Sequence, residues 1–309
     1  MRLTSISLLV SIALFCPTAG ADPLPGTELL DLTGDLSVEV VDQVDRWLLK
    51  ETARLADARP QDRLRSKEGR KALRDRLRHV LGMKDQRVAP QEFELVATRS
   101  IPALVAQTPK LSVFAIRWSV FEGVDGEGLL LEPAGDVLAN IVAIPDADQT
   151  PEEIAGLLPD APTNRAWARR IAETGCRVVV PVLIDRRNDW SGNPRVAMTN
   201  QSHREWVCRQ SYYVGRHILG YEVQKVLAAC DLLQREPRGG TYPLGVAGYG
   251  EGGLVALYAA AVDRRIERLL ISGAFAPMED QWQEPIERNA WSLLRERSRS
   301  SLNRADPRN

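Results

Sequence analysis

Apolar positions recur first at helical spacing along this chain, and then in short alternating and continuous runs. Residues 38–59 place Val40, Val41, Val44, Trp47, Leu48 and Leu55 along one side of a helix. The spacing predicts a second helix over 61–81, with Leu64, Leu73, Leu77, Val80 and Leu81 on its apolar side and Gly82 at its end. Between 92 and 131 the pattern becomes strand-like, at 93–98, 111–121 and 128–131, with a turn at 123–126. Beyond this point apolar strands at 138–144, 177–184, 244–248 and 266–272 alternate with helices at 151–158, 165–174, 221–235 and 254–262. Continuous apolar strands between helices predict an α/β fold: a mostly parallel sheet covered on both faces, in three layers.

The two ends read differently. Arg2, the apolar run 8–15 and Ala19-Gly20-Ala21 have the order of a signal peptide with its cleavage site. The expected organisation is a signal peptide at 1–21, a linker at 22–37, a helical region at 38–84, an α/β domain at 85–294 and a tail at 295–309. Cleavage leaves no apolar stretch long enough to span a membrane, so export to the periplasm or the medium is expected. The tail is rich in Arg and Ser, with Leu302 as its single apolar anchor, and cannot bury enough surface to order itself. It reads as a disordered basic tail or as the scar of a truncated or frameshifted gene. The second is preferred, because a sheet stopped at 266–272 leaves an apolar edge.

Composition narrows the function classes. The 309 residues carry 40 Lys and Arg against 41 Asp and Glu, a net charge of −1, which gives no bulk attraction to nucleic acid. The basic residues of 61–81 are balanced by acids and read as a solvated face. After cleavage only Cys176, Cys208 and Cys230 remain, too few for a disulfide framework. No Cys/His spacing suits zinc, and neither metal nor cofactor is expected.

The stretch carrying most chemical information is Gly248-Tyr249-Gly250-Glu251-Gly252-Gly253. It lies between a strand and a helix, and small residues two before, two after and three after position 250 match a sharp strand-to-helix turn in which any Cβ clashes. Shifting the register to Glu251 or Tyr249 breaks that pattern. The same six residues also satisfy the G-x-G-x-x-G phosphate turn of dinucleotide-binding domains. That reading wants an acid about 20 residues on, at the next strand end. Here that end is Ile271-Ser272-Gly273, and acids return only at Glu279 and Asp280.

With its element order, and with 216–224 opening a helix that ends Ala228-Ala229-Cys230-Asp231-Leu232-Leu233, the turn resembles the nucleophile elbow of the α/β-hydrolase superfamily, in its dienelactone-hydrolase and acetyl-xylan-esterase-like group. The resemblance covers about 85–290 and implies an esterase-type fold. It also implies a nucleophile at position 250, followed in chain order by an acid and a histidine. Position 250 is Gly, and His79, His203 and His217 all precede it. The chain is therefore expected to be a pseudoenzyme or a fragment that binds a carbohydrate, an ester-like ligand or a protein. The alternatives are a carboxylester hydrolase with an unrecognised nucleophile, for which Ser272 is a candidate, and a dinucleotide-binding domain. Oxyanion-hole donors are expected from the backbone at Glu251 and near Asp146-Ala147. Arg186 and Arg187, with Asp189 and Trp190, are candidates for a pocket rim, since they follow a strand's carboxyl end.

Overall fold

Eight strands and seven helices are present among the residues that the computed structural model describes, namely 24–28, 34–57, 66–89, 92–159, 162–189, 201–235, 242–275 and 284–290. The expected signal peptide, residues 61–65 of the second expected helix, residues 276–283 and 291–294, and the basic tail lie outside these residues. No described helix is long and apolar enough to cross a membrane.

The chain divides after Lys50 into two units. In the first, the predicted amphipathic segment forms most of helix α1 (Leu36–Asp57), whose start is fixed by Asp35 accepting from the N–H and the hydroxyl of Ser37 at 2.8 and 2.7 Å.

The second unit contains the sheet. Helix α2 (Lys67–Val80) begins at Ser66, whose hydroxyl accepts from the Gly69 N–H. Strands β1 (Glu94–Leu95), β2 (Leu104–Gln107), β3 (Leu111–Phe121) and β4 (Val124–Pro133) follow, then β5 (Ala139–Ile144), the short helices α3 (Pro151–Ile154) and α4 (Trp167–Ala172), and β6 (Cys176–Pro181). Helices α5 (His203–Tyr213) and α6 (Ile218–Leu233) precede β7 (Leu244–Tyr249), α7 (Glu251–Val262) and β8 (Ile266–Ser272). The strand order is β1-β3-β4-β6-β5-β7-β8, with β2 also on β3. The parallel part runs through β6, β5, β7 and β8; β1, β2, β3 and β4 extend it with antiparallel pairings.

Alternation within the central strands divides the core in two. Val142, Ile144, Val179 and Val246 face α2, α6 and α7, whereas Ala143, Val178 and Val180 face α3 and α4. This gives the three layers that the continuous apolar runs predicted. Strand β2, only four residues long and largely exposed, was not anticipated; residues 200–204, which read as a polar loop or a helix start, open helix α5. At the end of the sheet β8 leaves Leu270 61% exposed. Because β5, β6 and β7 run in one direction, the segments that follow them converge at one edge.

Candidate functional site

Gly250 adopts φ 56° and ψ −121°, outside the regions open to residues with a Cβ, and its N–H donates to the Ser272 carbonyl at 2.9 Å. The flanking glycines are required by close approach. A Cβ on Gly248 would enter the backbone of Gly252, one on Gly252 would strike the carbonyls of Ile144 and Pro145, and one on Gly253 would press on Ala274 and Ile271. Strand β7, the turn and helix α7 therefore pack without room for any side chain at these three places. Tyr249 points outward and is 47% exposed.

The place where a side chain at position 250 would project is taken by another residue. An ideal Cβ on Gly250 would lie well inside 3.0 Å of the Asp146 carboxylate. Asp146 follows β5, and its Oδ1 accepts from the Glu251 N–H at 2.6 Å. Its Oδ2 accepts from Arg186 Nη1 at 3.1 Å. Of the two expected backbone donors, that of Glu251 is directed at this carboxylate. Burial alone would raise the Asp146 carboxyl; the Glu251 N–H and Arg186 outweigh it and hold it below the ordinary carboxylate range.

The Glu251 side chain is fully buried rather than solvated. Its Oε1 accepts from Arg204 Nη2 at 3.1 Å, and its Oε2 lies 3.2 Å from Arg186 Nη2 and 3.1 Å from Arg288 Nε. Arg204, also fully buried, reaches Glu222 at 3.5 Å and donates to the Ile184 carbonyl at 2.8 Å. Lys225 pairs with Glu222 at 2.5 Å. Burial pushes the Glu251 carboxyl upward, and Arg204, Arg288 and Arg186 oppose it. The expected donor loop, the elbow and the loop after β6 are in this way tied by one ionic network, which also takes in the segment 284–290 beyond β8.

Arg187 stands apart from this network. It is 67% exposed and pairs with Asp185 at 2.6 Å and Asp189 at 3.6 Å. Trp190 lies outside the described residues. Asp185 and Asp189 also hold His203, at 2.5 Å to Nδ1 and 3.3 Å to Nε2. His217 caps α6, its Nδ1 accepting from the Leu219 N–H at 3.1 Å. Burial pushes its pKa down to about 4, so the ring is neutral at pH 7. Ser272 shows no elbow around it; its carbonyl serves the Gly250 N–H. Among the described residues no group of three or more His, Cys, Asp or Glu side chains is placed to hold a metal ion.

Arg204, Glu222 and Arg288 were not singled out in the sequence. Glu222 carried a signal, a lone acid within the apolar run of α6; Arg204 and Arg288 sit in polar stretches and carried none.

Chemically, the turn presents the Glu251 N–H and the Arg186 guanidinium to an anion, and no attacking atom. With Asp146 and Glu251 both at the turn, a pyrophosphate would meet negative charge where the dinucleotide reading needs free N–H groups.

No family model matches the sequence, nor does any curated protein. Solved structures do match. A candidate acetyl xylan esterase from Bacteroides fragilis is similar over 82% of this chain and 71% of its own, at a TM-score of 0.58 and 14% identity. Acetyl xylan esterase 1 from a Thermoanaerobacterium species aligns over 81% of this chain and 73% of its own, at a TM-score of 0.44 and 14% identity. The chain has an α/β-hydrolase fold of the acetyl xylan esterase-like kind.

Proposed function

We propose that the protein is an exported, non-catalytic α/β-hydrolase-fold protein whose elbow serves binding or structure rather than acyl transfer. One observation carries this reading: the elbow is built at Gly250, and a carboxylate from the segment after β5 fills the space of the absent side chain. A nucleophile needs an atom at that place and a base beside it; Gly250 offers no such atom, and the neutral His217 is engaged as a helix cap. Export rests on Arg2, the apolar run 8–15 and Ala19-Gly20-Ala21. The ligand class is a carbohydrate or an ester-bearing molecule, in line with the name of the similar Bacteroides fragilis protein.

The purified protein, given a small activated acetyl ester, is expected to release product at the protein-free rate and to resist labelling by a fluorophosphonate. Turnover or labelling clearly above background would end this reading. Gly250→Ser is expected to leave the protein inactive, because His79, His203 and His217 all precede the elbow, whereas the elbow's acid and histidine follow it in chain order.

A further inference from the structure

We propose that helix α1 is a homodimerisation element, which pairs antiparallel with α1 of a second copy of this chain. The inference goes beyond the reading of the elbow and does not depend on it.

Three observations carry it. First, Val40, Val41, Val44 and Trp47 lie on one side of the helix at spacings of three and four, and each is between 49% and 60% exposed. Large apolar side chains gathered in one exposed stripe mark a contact surface. The 22-residue helix runs about 33 Å, long enough for three heptads of a two-helix seam. Second, the polar face suits a protein partner better than lipid. It belongs to a helix with five acids against three bases, whereas helices that lie in a membrane interface are rich in Lys and Arg. Third, the charges are self-complementary in one direction. Glu39, Asp42 and Asp45 fall in the first half of the helix, and Arg46, Lys50 and Arg54 in the second. Parallel pairing would lay acid beside acid; antiparallel pairing sets each acidic half beside a basic one. With Val44 of each copy against Trp47 of the other, Glu39 comes beside Lys50 of the other copy, since both flank the stripe on the same side. The one acid within the stripe, Glu51, is neutralised by Arg54 at 2.8 Å.

Analytical ultracentrifugation of the purified protein at concentrations up to about 100 μM should show a monomer–dimer equilibrium. Val44→Asp and Trp47→Asp, both at exposed positions, should each keep the native fold and raise the dissociation constant at least about tenfold. Glu39→Lys should weaken the dimer, and adding Lys50→Glu should restore it, because each facing pair is then again opposite in sign. A protein that stays monomeric over this range overturns the proposal. So does a dimer that both Asp variants leave intact, or a charge exchange that fails to restore pairing. Flotation with vesicles of phosphatidylcholine and phosphatidylglycerol supplies the remaining arm: wild type that floats, against Trp47→Asp that does not, would make the stripe a lipid-binding face and overturn the proposal. Ester turnover, which would end the non-catalytic reading, bears on none of these outcomes.

Discussion

Asp146 and Gly250 share one space: the carboxylate of the first lies where the side chain of the second would begin. The two positions should therefore be energetically coupled. Gly250→Ala adds a Cβ to a conformation that costs a non-glycine residue about 1–3 kcal/mol, and drives it against Asp146. Combining it with Asp146→Ala removes the collision and leaves the backbone cost. Denaturant unfolding of the two single variants and the double should show the double losing about 1–3 kcal/mol less than the sum. Additive losses would mean that the carboxylate is not where the structure places it.

The Asp146 carboxyl is held below its ordinary value of 3.8 in the folded protein, despite burial. A carboxyl with a depressed folded pKa contributes stability that is fully present above the unfolded value and disappears as pH falls through the folded one. The stability difference between wild type and Asp146→Asn should be constant from pH 7 to about pH 5 and shrink below the ordinary carboxylate range. Unfolding midpoints measured from pH 7 down to pH 3 test this. A difference that grows on acidification would contradict the assignment.

Arg204 and Glu251 form a fully buried pair, so removing Arg204 leaves the Glu251 carboxylate to Arg186 and Arg288 alone. Arg204→Met is expected to cost about 1–3 kcal/mol at neutral pH, the usual worth of a lost hydrogen bond to a buried charged group that keeps other partners. The Arg204→Met/Glu251→Met double variant should recover part of that loss, though not all, because Arg186 and Arg288 then lack Glu251. Urea unfolding is the measurement. A loss under about 0.5 kcal/mol in the single variant would show the pair to be solvated.

The layered core was legible because β6 and β7 are apolar on both faces, which only a covered parallel sheet accommodates. The elbow was legible for a steric reason, since a Cβ on Gly248 or Gly252 would strike backbone and one on Gly253 would press on the side chains of Ala274 and Ile271. What filled the elbow was not legible. Asp146 was read as a neighbour of a backbone donor, and nothing in its local sequence says that its side chain turns into the pocket. Charge burial was equally hidden: Glu251 reads as an ordinary acid in the first turn of a helix, and becomes buried only because Arg204, 47 positions away, arrives from α5. The extent of helix α5 was not legible, because its polar residues show no helical period; its start is set locally, by the Ser202 hydroxyl accepting from the Glu205 N–H.

Cys208 and His217 lie 3.8 Å apart and superficially suggest a thiolate–imidazole pair. Burial argues against activation on both sides: it pushes the Cys208 thiol up to about 11 and the His217 ring down to about 4. Both groups are then neutral at pH 7, and no imidazolium stabilises a thiolate. Cys230 is fully buried, and its thiol is raised further by the same cause. Iodoacetamide at pH 8 should therefore leave Cys208 and Cys230 unmodified in the native protein and alkylate both after unfolding, as read by peptide mass spectrometry. His217→Gln, provided it retains the native fold, should not slow alkylation at Cys208, since there is no imidazolium-assisted rate to lose. Rapid native alkylation of Cys208 that depends on His217 would show that the pair is a working nucleophile, and would reopen the question of catalysis away from the elbow.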